Sequence, residues 1–375
     1  MMDFSGKRIL LMFISYNSGH HRAALAIEKG LRQLSPYSTI LNINAFRHTN
    51  PIIERMVNRA YMGIIKNKPE IWDYFYDNPK IVKNTKGLKQ IIHRLNSAKL
   101  KHLIDDFKPN AIVCTQAFPC GMVADFKKFY GLDIPLFGVI TDFLPHGFWI
   151  YENIDYYVVA SDFTAEKLTR YGVPKHKIKS FGIPIDPIFT QPPDKKMTFE
   201  NFNLDPDVPT VLVMGGGQGL GPIYETVTTL ANSKFQLQMI ILAGTNKKLC
   251  KKLELLTTQA KNRIIVFEHI DFVNQLMNIA TLLITKPGGL TTSEAIAMGI
   301  PMVIVSPIPG QETKNAHFLL NEKIAVESKT GEDIPKLVED LLRNPARLNE
   351  MRQKAFALGK PYSAHDTAKL ILSAA

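Results

Sequence analysis

No apolar stretch of the 375-residue chain approaches the ~20 residues that a membrane-crossing helix needs. The longest runs, such as Ile9–Ile14 and Met239–Ala243, end after a single strand's length. Near the N-terminus, Lys7-Arg8 is followed by only a short apolar segment before Ser15, Asn17 and Ser18, too little for the core of a secretory leader. Cysteine is scarce. Cys114, Cys120 and Cys250 are too few for an even disulfide framework, and no CxxC is present. A reducing cytoplasm is the expected setting. No Asp-x-Asp follows a strand-like segment, Asp105-Asp106 lies in a helical and solvated context, and no Cys/His cluster has zinc spacing. The expectation is therefore no metal and no cofactor.

What the chain does carry is an uneven positive charge. Its formal net charge is +11. Residues 1–190 hold 25 Lys/Arg against 16 Asp/Glu, whereas the remainder holds 20 against 18. Within residues 47–108 alone the balance is 13 against 6. A basic region of this kind suits an anionic membrane surface or nucleic acid, or is simply a solvated face. No helix-turn-helix, zinc or RNP signature accompanies it, so nucleic acid is not an expected partner.

Short β-rich apolar runs alternate with helical stretches in two series, as in two parallel α/β sheets. The first series is Arg8–Ser15, Ala111–Thr115, Leu136–Thr141 and Tyr156–Ala160. The second is Thr210–Met214, Gln238–Ala243, Arg263–Phe267, Thr281–Thr285 and Met302–Ser306. A Pro-rich stretch, Pro184–Pro209, separates them. The expected organisation is an N-terminal domain over 1–186, a linker over 187–208 and a C-terminal ligand domain over 209–350. A final helical segment, 351–375, is expected to pack back on the N-terminal domain. Residues 45–108 read as helices in which Trp72, Tyr74, Phe75 and other aromatics are interleaved with Lys and Arg.

Three strand-to-loop junctions in the second series suit an anion. Met214-Gly215-Gly216-Gly217-Gln218-Gly219-Leu220-Gly221-Pro222 follows a strand and precedes a helical segment, so Gly215, Gly216 and Gly217 allow close backbone approach to a phosphate. The next strand ends Leu242-Ala243-Gly244-Thr245-Asn246 without the acidic residue of a dinucleotide site. No Gly-Lys-Ser/Thr follows the glycines, so NAD and ATP are both poor candidates. The second junction is Thr285-Lys286-Pro287-Gly288-Gly289-Leu290-Thr291-Thr292-Ser293-Glu294. Lys286, Gly288, Gly289, Thr291 and Thr292 are candidates for holding a diphosphate, and Glu294 for a ribose diol. Glu294 also fits an S/T-x-x-E capping box with Thr291. The third is Pro307-Ile308-Pro309-Gly310-Gln311-Glu312, where Gln311 and Glu312 are placed to bind sugar hydroxyls or to open a helix. Ligands of open α/β sheets bind outside the carboxyl ends of the strands, where all three junctions fall. Without a metal, helix starts and hydrogen-bond donors would neutralise a departing diphosphate.

In the first series, Ser18-Gly19-His20-His21 follows the first strand. A neutral imidazole there suits general-base work. His20 and His21 are not separable by spacing, and either is equally an ordinary helix residue. Asp142 ends another strand, as a support for a histidine or as a turn cap.

With these motifs in place the chain resembles the monogalactosyldiacylglycerol synthase and processive diacylglycerol glucosyltransferase group of glycosyltransferase family 28. That family also includes the lipid II-forming N-acetylglucosaminyltransferase. The resemblance runs over nearly the whole chain. It rests on Ser18-Gly19-His20, Val139–Phe143, Tyr157–Phe163, Gly182–Ile185, Met214–Pro222, Ile284–Ala295 and Pro309–Asn315. It implies an α/β GT-B fold, two Rossmann-like domains facing across a cleft. It implies inverting transfer of a hexose from UDP-hexose to 1,2-diacylglycerol, giving a β-glycosyldiacylglycerol.

The resemblance also implies roles. His20 is the base. Glu294 binds the ribose, Gln311 and Glu312 read the sugar, and Gly215–Gly217 form a loop near the diphosphate. Ser18 and Gly19 fall on the acceptor side, where Asn17, Ser18 and His21 depart from the commoner pattern. Diacylglycerol stays in the bilayer, so Trp72, Tyr74 and Phe75 are assigned to an anionic membrane surface, with the protein peripheral on the inner face of the cell membrane. Thr285–Gly289 is closer to the glucosyltransferases and Met214–Pro222 to the galactosyl branch; glucose is the expected sugar. The alternatives are another lipid-linked acceptor of the undecaprenyl type, or a UDP-sugar-binding protein without turnover. The presence of His20 argues against the latter.

Overall fold

The computed structural model describes residues 6–16, 18–49 and 86–375. Contacts divide the chain into two compact units, Met1–Pro187 with Ile308–Gln311 and Tyr362–Ala375, and Ile188–Pro307 with Glu312–Pro361.

The first unit is built on β1 (Arg8–Phe13), β2 (Thr39–Asn44), β3 (Ala111–Cys114), β4 (Leu136–Val139), β5 (Tyr156–Val158) and β6 (Ile178–Lys179). These strands are parallel, in the order β2-β1-β3-β4-β5-β6. β1 is buried from Ile9 to Phe13 because helices cover both faces of the sheet, which is why it reads as an unbroken apolar run. Ile9 and Leu11 meet Ile27 and Leu31 of α1 (Gly19–Leu34) on one face. Leu10 and Met12 share the opposite core with Leu100 and Leu103 of a helix spanning Lys86–Phe107 and with Val123 and Phe126 of a helix spanning Ala117–Tyr130. Each such side chain contributes about 1.5–3 kcal/mol on burial. β2, at the sheet edge, is only partly buried and carries Asn42 and Asn44 among its apolar residues, so it lacks the apolar run of its neighbours and is absent from the strand series read from sequence.

The final helix, Ser363–Ala374, lies along α1, with Ala368 and Ile371 in the α1-side core. Gly30 makes that approach possible, since a Cβ there would come within 2.9 Å of the Ala364 carbonyl oxygen. The helix before it, Pro345–Leu358, belongs to the second unit. The Pro-rich stretch between the two strand series is not bare linker. It contains a 3₁₀ turn at Pro187–Thr190 and a helix at Lys195–Asn201 capped by Asp194.

The second unit holds β7 (Thr210–Met214), β8 (Gln238–Leu242), β9 (Arg263–Phe267), β10 (Leu282–Thr285), β11 (Met302–Val305) and β12 (Ala325–Ser328), parallel and ordered β12-β11-β10-β7-β8-β9. Read from the far edge this is the dinucleotide-fold order 3-2-1-4-5-6, reached here without a dinucleotide fingerprint. Its core joins Val211, Val213, Met239 and Ile241 to Val227 and Leu230 of the helix Ile223–Ala231 and to Leu253 of the helix Lys247–Thr257.

Candidate functional site

In each sheet the chain reverses its direction of strand addition at one place, and the loops leaving there open a crevice at the strands' carboxyl ends. In the first unit that place is between β1 and β3. Ser15, with φ 65°, turns the chain sharply out of β1. Ser18 then caps α1, accepting from the His21 amide at 3.2 Å and donating to the Ser15 carbonyl at 2.6 Å. A cap of this kind contributes about 1 kcal/mol. Ser18 thus builds the loop. Gly19 is the exposed first residue of α1, and His20 follows it.

The His20 ring is held from two other strands. Nδ1 lies 2.9 Å from the carbonyl oxygen of Thr115, at the end of β3, and 2.8 Å from Oγ1 of Thr141, just beyond β4. A carbonyl oxygen only accepts, so Nδ1 carries the hydrogen and Nε2 carries the lone pair. Nε2 has no hydrogen-bond partner among the described residues. The Thr115 hydroxyl donates to the His20 carbonyl at 2.9 Å, closing a second clasp between β3 and α1. Surrounding protein desolvates the imidazolium and pushes the His20 pKa down to about 4, against the opposing pull of the Thr115 carbonyl. The ring is therefore a neutral base across the physiological range.

Asp142 is buried beside Thr141, but the polar partners of the His20 ring are Thr115 and Thr141, not Asp142. It is Thr141 that reaches the imidazole. His21 is set apart from His20. Its ring lies 4.3 Å from that of Phe13 and 5.3 Å from that of Tyr16, against aromatic surface. Burial lowers its pKa also, partly offset by Glu28.

In the second unit the reversal lies between β7 and β10, and both of those strands end in the glycine-bearing junctions. The loop after β7 folds on itself through Leu220 N–H to Gly215 O at 2.9 Å and Gly219 N–H to Gly216 O at 3.0 Å. It is docked on the turn after β8 by Thr245 N–H to Gly217 O at 3.0 Å. Gly219, with φ 58°, is required sterically, since a Cβ there would meet the Ala243 carbonyl oxygen at 2.0 Å. The loop is thus a fixed surface rather than a slack tether. Thr285 Oγ1 donates to the Met214 carbonyl at 2.9 Å and ties the ends of β10 and β7 together.

After β10, Gly288 caps the helix Gly289–Ala297 without a side-chain bond. Thr291 is therefore inside the first turn, not at the cap, and the Thr291–Glu294 capping box does not form. Thr292 N–H reaches the Gly288 carbonyl at 3.1 Å, so the amides of Gly289, Leu290 and Thr291 lie ahead of the first intrahelical bond, at the positive end of the helix. Thr292 itself is buried and donates its hydroxyl to the Gly288 carbonyl at 2.8 Å. That hydroxyl supports the helix start. Thr291 is half-buried, and Glu294 is buried in the same helix.

Lys286 and Glu312, 26 positions apart, form an ion pair at 2.7 Å. Both are largely covered, with side-chain exposures of 19% and 13%. Lys286 also passes over the glycine loop, its Cε 3.4 Å from where a Gly216 Cβ would stand. Asn315 donates to the Pro287 carbonyl at 3.1 Å, so the helix Gln311–Asn321 is joined to the β10 junction at two points. Gln311 is the half-buried first residue of that helix, after Gly310 at φ 96°. Trp72, Tyr74 and Phe75 lie outside the described residues. Among the described residues, no group of three His, Cys, Asp or Glu is arranged to hold a metal ion.

Sequence reasoning missed Thr115, Thr141 and the pairing of Lys286 with Glu312. Each threonine is a hydroxyl residue closing an apolar strand, a signal that was visible but not distinctive.

Two parallel six-stranded α/β units of this topology define the GT-B fold. MurG of Acinetobacter baumannii shares the fold, with a TM-score of 0.63 over 98% of this chain and 99% of that one at 18% identity. Residues 20–185 match the family model of monogalactosyldiacylglycerol (MGDG) synthase, and residues 210–368 match the glycosyltransferase family 28 C-terminal domain. The chain belongs to this family, and it is a hexosyltransferase. It is 30% identical over 351 residues to the processive diacylglycerol beta-glucosyltransferase of Bacillus subtilis strain 168, covering 93% of this chain and 90% of that protein. The enzyme of the same name from Bacillus licheniformis is 29% identical over 354 residues, covering 94% and 91%.

Proposed function

We propose that the protein transfers glucose from UDP-glucose to the free hydroxyl of 1,2-diacylglycerol with inversion, at the inner face of the cell membrane and without a metal ion. The observation that carries this reading is the held His20 ring, neutral and with its Nε2 lone pair available. In the reaction the lipid O–H bond breaks and its proton passes to Nε2. The oxygen bonds to the anomeric carbon as the bond from that carbon to the diphosphate breaks. UDP departs with the negative charge. Lys286 and the leading amides of Gly289–Thr291 are the groups that meet that charge, beside the Gly215–Gly217 loop. Glu294 takes the ribose diol, and Gln311 with Glu312 takes the sugar hydroxyls.

Glucose rather than galactose is supported by the names of the relatives and by the Thr285–Gly289 motif. Membrane association is supported by the acceptor's own chemistry and by the basic, aromatic stretch around Trp72, Tyr74 and Phe75. Among the described residues no helix is long and apolar enough to cross a membrane. The test is incubation with mixed vesicles of diacylglycerol and anionic phospholipid, with labelled UDP-glucose or UDP-galactose, with and without EDTA. Thin-layer chromatography and mass spectrometry should show glucosyldiacylglycerol at an EDTA-insensitive rate. Product from UDP-galactose alone, or none with diacylglycerol, overturns the reading.

A further inference from the structure

We propose that Thr141 is a positioning residue for the transfer, forming with the Thr115 carbonyl a two-oxygen cradle that orients His20 and stabilises its imidazolium. This rests on the reading of His20 as the base.

The two oxygens stand 2.8 and 2.9 Å from the same Nδ1 and come from different strands. Both threonines are buried, Thr115 fully and Thr141 almost so. Neither oxygen needs to reorganise when charge develops on the ring. As Nε2 takes the acceptor's proton, the positive charge spreads to Nδ1–H, and two dipoles already point at it. The Nδ1 hydrogen stays in place throughout, and no proton passes to either threonine. Both acceptors are neutral, which distinguishes this cradle from a carboxylate support. A carboxylate would raise the basicity of the ring and hold it partly protonated near neutral pH. Two neutral oxygens orient the ring while leaving it unprotonated and available. The Thr115 contribution comes from its main chain, held by its own hydroxyl on the His20 carbonyl. Thr141 contributes a side chain, so it can be removed alone.

The experiment has two readouts. The first uses no substrate. Long-range ¹H–¹⁵N correlation of histidine-labelled protein at neutral pH, with His20 assigned by its loss in His20→Gln, should show the Nδ1–H tautomer. An Nε2–H tautomer overturns the proposal. The second readout is kinetic. Thr141→Val should lower kcat by about tenfold or more, leave KM for UDP-glucose unchanged, and be rescued to within about twofold of wild type by Thr141→Ser, which restores the hydroxyl. Wild-type kcat in Thr141→Val, or an equal loss in Thr141→Ser, also overturns it. Thr141→Ala replaces the valine variant if thermal melting shows that variant unfolded. Absence of any glycolipid from the wild type overturns the reading of function instead, while the tautomer is scored independently.

Discussion

The Thr115 carbonyl oxygen lies 2.9 Å from Nδ1 of His20, while the Thr115 hydroxyl lies 2.9 Å from the His20 carbonyl, so the two residues clasp each other twice. This reciprocal contact joins the end of β3 to the start of α1 at the point where the first sheet reverses. It fixes which imidazole nitrogen is free. Removing the ring should therefore remove the proton acceptor and little else. His20→Ala is expected to lower kcat by about 10²–10⁴-fold. UDP affinity, measured by calorimetry, should stay within about twofold of wild type.

The low His20 pKa has a consequence for acid stability. An unfolded histidine titrates near its ordinary value of 6.5 and the folded one at about 4. Between these values the unfolded chain binds a proton that the folded chain does not. The His20 contribution to stability is therefore intact above the unfolded pKa and lost as pH falls toward the folded one. The difference corresponds to roughly 3 kcal/mol. Urea unfolding at several pH values should show wild type losing more stability than His20→Gln across this window. The same pKa predicts that kcat/KM has no acid limb above about pH 5.

The Lys286–Glu312 pair is largely covered, so removing one partner leaves the other charge poorly compensated. Lys286→Ala is expected to lower kcat/KM for UDP-glucose by about 10²-fold, as loss of a group that meets the leaving diphosphate. Glu312→Gln should weaken donor use as well. The double variant should fall short of the summed single effects, because the two side chains act as one unit. Additive losses would show that they act separately.

Gly219 provides a test of the glycine loop that touches no proposed ligand contact. A methyl group there meets the Ala243 carbonyl oxygen at 2.0 Å on a backbone with φ 58°. Gly219→Ala is expected to destabilise the fold by about 1–3 kcal/mol and to weaken UDP binding by displacing the loop from the β8 turn. Equilibrium unfolding and calorimetry measure the two effects.

The inner strands of both sheets were legible because strands covered on both faces are continuous apolar runs, as in Ile9–Phe13 and Val211–Met214. The edges were not. β2 alternates apolar residues with Asn42 and Asn44, β6 has two residues, and β12 contains Glu327 and Ser328. The glycine junctions were legible as strand-loop-helix patterns, while their locking to neighbouring turns was not. Lys286 and Glu312 meet only because β10 and β11 are neighbours, a fact of strand order that local sequence does not carry. Thr141, one residue before Asp142, meets the His20 ring, and a one-residue offset is below what spacing resolves.

The most direct test of the transfer itself is the anomeric configuration of the glycolipid formed from UDP-α-glucose and diacylglycerol, read from the anomeric proton coupling by NMR. A single displacement assisted by His20 predicts the large trans-diaxial coupling of a β-glucoside. The small coupling of an α-glucoside would contradict it.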